Sequence, residues 1–440
     1  MILKHISTPN LNFEDSWKNT KYKIKKLNNF DKFSFMFWFL GPFVLLIERD
    51  PSDLWLTLIT LLFLSRSYVL KEWKWINQTW FKLALSLWII GIISGLISSI
   101  PLFSTWQAFV WIRFPLYALA VQAWLGMDRD IRIVMFLMMI LGTILMCFIL
   151  LSELYFEPTF PCNTSLTNYV RCPKFRLVWP YGDAIPGSYL SKANLSVFCV
   201  LVALTVSIKS KKFIYFLLIS VFTLIMSFLT GERINFISRI ISGLVSCFVY
   251  KPIKIRLIIL LSIITVTFTA VIIKKPILKE RYTTEFLNKL NFDSGNWGAW
   301  RGGIQQGLEK PFFGVGPSGT RHTCGYLKEH WLPGENFCGN HPHNFYIQLF
   351  AEVGLIGLIF GSIMIFYIIK SCYIIRKHCP ENYIFSTTFV IPFGIFFPFQ
   401  HYGSFYGQWG NLFIWFAIGF ALSQTNVVLT KKLTKNDNKI

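Results

Sequence analysis

Long apolar runs alternate along this chain with short polar connections. About twelve runs stand out, near 33–48, 54–70, 81–100, 104–126, 131–152, 189–208, 213–230, 234–250, 256–274, 344–369, 383–399 and 411–427. Each has ~15 to 25 residues, the length a helix needs to cross the hydrocarbon layer. Lipid offers a peptide group no hydrogen-bond partner, so such runs satisfy their backbone internally as helices. The pattern predicts an all-α polytopic membrane protein with about twelve transmembrane helices. There is no internal repeat and no low-complexity linker. One membrane domain, residues 33–427, lies between two basic tails at 1–32 and 428–440.

Composition agrees with this reading. The chain is 53% hydrophobic and 15% charged, where a soluble domain carries about 25% charged residues. The net charge of +21 raises the question of nucleic acid. Its distribution answers it, because the basic residues form short clusters between apolar runs, such as "KYKIKK", "KEWKW", "KSKK" and "KPIKIR". That is the positive-inside pattern, whereas nucleic-acid binding asks for a contiguous basic face on a soluble domain. No nucleic-acid partner is expected. With the amino terminus inside, Lys71 and Lys74, Arg129, "KSKK", "KPIKIR", Arg376 with Lys377, and the basic carboxyl-terminal tail all fall in the cytoplasm. Two large loops are then exported, about 153–188 and, between spans nine and ten, about 275–343. The first 32 residues are polar and basic with no apolar core, so no cleavable signal peptide is expected.

Four of the nine cysteines, Cys162, Cys172, Cys324 and Cys338, fall in the exported loops. An even number in an oxidising compartment suggests disulfides, with Cys162–Cys172 and Cys324–Cys338 as local pairings. Neither pair has C-x-x-C spacing, which makes zinc a poor reading.

Candidate chemistry collects on the same side. Five of the seven histidines, His322, His330, His341, His343 and His401, are external on this topology. "SFLTGERINF" leaves Glu232 and Arg233 in a tight outer turn. An outer arginine wants an anion, whether Glu232, the interface or a substrate. In "NWGAWRGGIQQGLEKPFFGVGPSG", Trp297, Trp300, Ile304 and Gly307 fall at helical spacing with Arg301 beside them, and a Gly/Pro turn follows. The aromatic face reads as packing or interface anchoring, and its glycines follow no strand, so a nucleotide fingerprint is weak. "GNHPHNFYIQLFAEVGLIGLIFGS" puts His341 and His343 before an inward-running helix that begins near Asn344. The positive end of that helix favours anions and keeps a nearby imidazole neutral. Two histidines two apart do not share a helical face, and no carboxylate cluster accompanies them, so no metal is expected. Asp128-Arg129-Asp130 forms a D-x-D in a short inner loop and reads as loop charge. Arg113, inside the fourth span, is either a phosphate contact or a structural one.

These residues carry a resemblance. "HPHNFYIQLFAEVGLIGL" resembles the signature of the O-antigen ligase and polymerase superfamily, with His343, Asn344, Glu352, Gly354 and Gly357 at its positions. "LTGERINF" is similar to the family's T-G-S-R-G turn in Thr230, Gly231 and Arg233, and departs from it at Glu232 and Ile234. "WRGGIQQGLEKPFFGVGP" resembles the segment in which an arginine precedes a Pro-x-x-Gly-x-Gly turn, matching Arg301, Pro311, Gly314 and Gly316. The likeness covers residues 190 to 400, about half the chain.

The resemblance implies an inverting, metal-independent glycosyl transfer of GT-C type at the periplasmic face of the bacterial inner membrane, without a cofactor. The donor would be a glycan on undecaprenyl pyrophosphate, its tail among membrane lipids, and the ligase acceptor a sugar of the lipid A–core. Pyrophosphate leaves readily, so the reaction wants cations for the developing charge and one base. Arg233 and Arg301 suit the first need and His343 the second. His341, Asn344 and Glu352 are expected to support the base or bind the acceptor. The twelve-span count and the single dominant late loop favour the ligase over the polymerase of the same superfamily. A transporter would want broken or polar helices at mid-membrane and repeated halves.

Overall fold

A computed structural model describes residues 13–156, 177, 185–249, 252–274, 279, 296–327, 341–378, 387–400 and 403–426. Cys162, Cys172, Cys338, His330 and His401 lie outside the described residues, as does the side chain of Cys324, so the expected disulfides do too. Every element among the described residues is helical.

The chain enters on α1 (Phe13–Lys26), whose Phe13, Ser16, Thr20 and Ile24 form one buried stripe at helical spacing. Then come α2 (Asn29–Phe39), α3 (Gly41–Val44), α4 (Arg49–Leu70), α5 (Thr79–Leu96), α6 (Pro101–Trp111), α7 (Arg113–Ala120) and α8 (Arg129–Phe156). The second half holds α9 (Ile185–Ser188), α10 (Leu195–Ser207), α11 (Phe213–Leu229), α12 (Arg233–Val249) and α13 (Lys254–Lys274). It closes with α14 (Asn296–Glu309), α15 (Thr320–Leu327), α16 (Phe345–His378), α17 (Val390–Ile395) and α18 (Gln408–Ser423).

Five of these runs are individually long and apolar enough to cross a membrane: α4, α5, Pro101–Leu125, α8 and Phe345–Ile374. A sixth is the pair Ile185–Ala193 and Leu195–Ser207, bent by 58° at Asn194. The molecule is therefore a multi-pass membrane protein by length and composition. Among the described residues the count stays below twelve uninterrupted spans, and several of the runs there are short or broken. α11, for example, has 17 residues, and the first run is divided between α2 and α3.

Polar contacts gather at the two ends of the bundle. At one end Lys23 pairs with Asp128 at 2.7 Å and Asp130 at 2.9 Å, laying α1 along α8. Buried Arg132 donates to the Gly126 and Met127 carbonyls and to Gln424, and Asn426 donates to the Gln122 carbonyl. All these residues belong to connections or tails predicted to be cytoplasmic, or to the helix ends beside them. Between the two ends the core is aromatic, with Trp38, Trp55, Trp80, Trp111 and Trp415 each at most 2% exposed. The opposite end carries the three motifs.

Candidate functional site

α16 starts with a cap supplied by Asn344. Its side-chain Oδ1 accepts from the backbone N–H of Tyr346 at 3.0 Å and of Ile347 at 3.1 Å, the arrangement expected of Asn before an apolar helix. Two of the N–H groups expected to greet an anion are thus held by the protein itself. His343, just before the cap, has φ 56, a conformation uncommon for a residue with a side chain and one that aims it sharply off the helix. Its ring lies against that of His341, centroids 4.2 Å apart and nearly perpendicular. Burial first, then the neighbouring His343 and Arg321, push the His341 pKa down to about 3. His341 is therefore a neutral imidazole through the physiological range.

Below the histidines the helix is broken. Gly354 has φ 73 and ψ −170 inside α16, which turns the preceding carbonyls out of the helical ladder. The turn after α14 fills the gap: Val315 N–H donates to the Ala351 carbonyl at 2.9 Å, Gly316 N–H to the Glu352 carbonyl at 3.0 Å, and Leu355 N–H to the Pro311 carbonyl at 2.7 Å. Ser94 of α5 adds a hydroxyl to the Glu352 carbonyl at 2.8 Å. Gly314 has φ 67, and any side chain there would strike the Glu352 backbone; one at Gly354 would strike Phe312. Backbone therefore meets backbone, which explains why the Pro-x-x-Gly-x-Gly turn and the Glu-x-Gly segment carry glycines where they meet. Glu352 is wholly buried. It accepts from the Thr320 hydroxyl at 2.9 Å and from the Ser318 backbone, so it holds the turn in place beneath the site.

α14 lies on the start of α16. Gly303 faces Pro342 and Ile347, and Gly307 faces Phe350, with no room for a larger residue. The packing face thus uses small residues, whereas Ile304, expected on it, is 43% exposed. Arg301 is exposed on this helix. On the other side, α11 ends at Leu229 and Gly231 turns the chain at φ 70, so Arg233 opens α12, half buried. Glu232 packs against Gly187 and lends its charge to buried Lys192.

One short segment joins the three motifs. In residues 396–400, "FFPFQ", the Pro398 carbonyl accepts from Asn344 Nδ2 at 2.6 Å and the Phe396 carbonyl from the Tyr346 hydroxyl at 2.9 Å. Phe399 stacks on Trp300, the neighbour of Arg301, with centroids 6.3 Å apart. Gln400 donates to Asn235, two residues after Arg233, at 2.9 Å. The motif segments around His343, Arg301 and Arg233 are thus gathered at one end of the bundle. The bridge itself was missed from the sequence. Its signal is a proline and a glutamine closing an otherwise aromatic run.

Arg113, expected as either a phosphate or a structural contact, has a carboxylate partner inside the protein. It makes a two-oxygen ion pair with Asp53 at 2.9 and 3.1 Å, and Gln408 donates to the same carboxylate at 2.9 Å. Asp128, of the D-x-D, caps α8 by accepting from the N–H groups of Asp130 and Ile131, while Lys23 covers both carboxylates.

The fold and site define a multi-pass helical membrane protein with histidines, arginines and a stitched helix break at one end. Residues 193–360 match the O-antigen ligase family, a stretch that holds Arg233, Arg301, His343 and Glu352. The match supports the resemblance to the O-antigen ligase and polymerase superfamily. The 396–400 bridge and the Arg113–Asp53 pair lie outside the matched residues. No curated protein matches the chain.

Proposed function

We propose that this protein is an inverting glycosyltransferase that moves a glycan from undecaprenyl pyrophosphate onto the lipid A–core, an O-antigen ligase. It would be a twelve-span, GT-C-like protein of the bacterial inner membrane with its site facing the periplasm. The observation that carries the reading is the 396–400 bridge, which draws the Arg233, Arg301 and His343 segments to one end of the bundle.

In this reading the acceptor hydroxyl attacks the anomeric carbon from the face opposite the pyrophosphate. The new C–O bond forms as the old one breaks, and the electron pair leaves on the pyrophosphate oxygen. Arg233 and Arg301 hold that charge, which guanidinium geometry suits. The hydroxyl proton passes to His343, with His341, kept neutral, as its partner at ring-contact distance. No metal is invoked.

His343→Ala is expected to abolish transfer while the protein still inserts. A normal lipopolysaccharide ladder from that variant would remove His343 from the mechanism. Deleting the gene separates ligase from polymerase: the ligase reading requires core with no glycan, whereas core carrying a single repeat unit indicates the polymerase.

A further inference from the structure

A cavity of about 720 Å³ lies beside the site, between the outward ends of α4 and of the α6–α7 pair, closed on its far side by Ser318, Arg321 and residues 406–408. Its polar end holds Arg49, Arg321 and Arg113, with Asp53 as the one carboxylate in its lining. Asp53 is already engaged by Arg113 and Gln408, and exposed Asp50, outside the lining, lies 3.4 Å from Arg49, which leaves the lining itself with three arginines to one carboxylate. Beyond them Thr57, Thr60 and Gln107 add hydroxyl and amide groups, and aliphatic and aromatic side chains make most of the remaining wall apolar. Leu61 and Phe109, each 52% exposed, and Trp106, 59% exposed, lie on helices long enough to face lipid. A water-filled surface pocket has no reason to carry such a wall, whereas a pocket entered from the bilayer does. Cations at one end and a hydrocarbon-facing wall at the other match an amphiphile with an anionic head.

We propose that this cavity is a docking site for a phosphate-bearing lipid, its phosphate held by Arg49 and Arg321 and its chains lying along Leu61, Trp106 and Phe109 between α4 and α6–α7. Arg321 also stands close enough for its charge to act on His341. A head group docked on Arg321 therefore lies within electrostatic reach of the histidine pair. Resting on the transfer reading, the occupant is the lipid acceptor, whose phosphates would be held here while its sugar reaches His343.

The test uses the full chain in nanodiscs of phosphatidylcholine doped with fluorescent phosphatidic acid, with retained probe measured as the fluorescence that co-purifies with the protein after exchange into detergent. Arg49→Gln with Arg321→Gln should weaken retention of the probe about thirtyfold, given the ordinary attraction of two basic residues for anionic lipid. Leu61→Trp, which fills the apolar wall, should weaken it as well, and inorganic phosphate at millimolar concentration should fail to compete. Unchanged retention in the double variant overturns the site. Competition by inorganic phosphate, with Leu61→Trp silent, makes it a free-anion site and overturns the lipid. His343→Ala should retain the probe like the wild type. Loss of transfer on changing His343 therefore tests the catalytic reading alone, and loss of probe on changing the arginines tests this one.

Discussion

α8 and α16 begin in the same way and are used differently. Each is capped by an Asx side chain that takes two first-turn N–H groups, Asp128 for α8 and Asn344 for α16. At α8 the cap is charged, and Lys23 neutralises it together with Asp130. Burial works against the Lys23 charge, yet the two carboxylates hold its pKa above the ordinary value. At α16 the cap is neutral, and the charge next to it comes from Arg321 beside two imidazoles. An uncharged cap fixes the helix start without adding a carboxylate that would draw a proton onto the histidines. The same local structure is thus a fastener at one end of the bundle and part of the proposed site at the other.

The largest expected effect breaks the support beneath α16. Gly354→Val needs a β-branched residue at φ 73 and drives it into Phe312. It should destabilise the protein by about 3 kcal/mol or more, seen as a much lower thermal midpoint in detergent; an unchanged midpoint would mean the stitched turn adds no rigidity. Next, Asn344→Ala and Asp128→Ala should each lose about 1 kcal/mol from the missing cap, but only the first should also impair transfer, because only Asn344 ties the helix to Pro398. Equal effects on transfer would erase the comparison.

Asn344→Asp sharpens it further. The cap is retained, but the carboxylate favours protonated imidazole and raises the pKa of the histidines beside it. A base must be deprotonated to work, so the acid limb of the pH–rate profile should move to higher pH. A profile that stays put would disconnect the histidines from the rate. The smallest effect belongs to Lys23→Ala, whose ion pairs are half exposed. It should cost a few tenths of a kcal/mol and vanish in high salt, with transfer unchanged.

Much of this was legible in the sequence, and the omissions share a cause. Apolar runs located the helices well, as with 131–152 inside α8, since lipid permits little else. The breaks at Ile112, Asn194 and Gly354 were not legible, because hydropathy averages across a single residue that leaves the ladder while its neighbours remain apolar. The motif segments around Arg233, Arg301 and His343 were found by residue type. Their assembly was not, because Pro398 and Gln400 act through a carbonyl and an amide fifty or more residues from their partners. The sequence placed the start of the helix near Asn344 without assigning it the cap, although Asn before an apolar run is such a signal, and Glu352 hid its role by acting from within the helix.

The break in α16 also has a vertical meaning. Eight residues separate Asn344 from Glu352, about 12 Å of helical rise, so the turn stitched to Ala351 and Glu352 sits well below the level of the histidines. Irregular backbone survives at such depth only when sealed by protein, and here Ser94, Thr320 and the paired glycines seal it. The segment between α14 and α15 therefore sends a plug down into the bundle. For the proposed transfer, that plug stands between the reacting sugar and the hydrocarbon beneath, giving the chemistry a solid floor where lipid tails would otherwise drift.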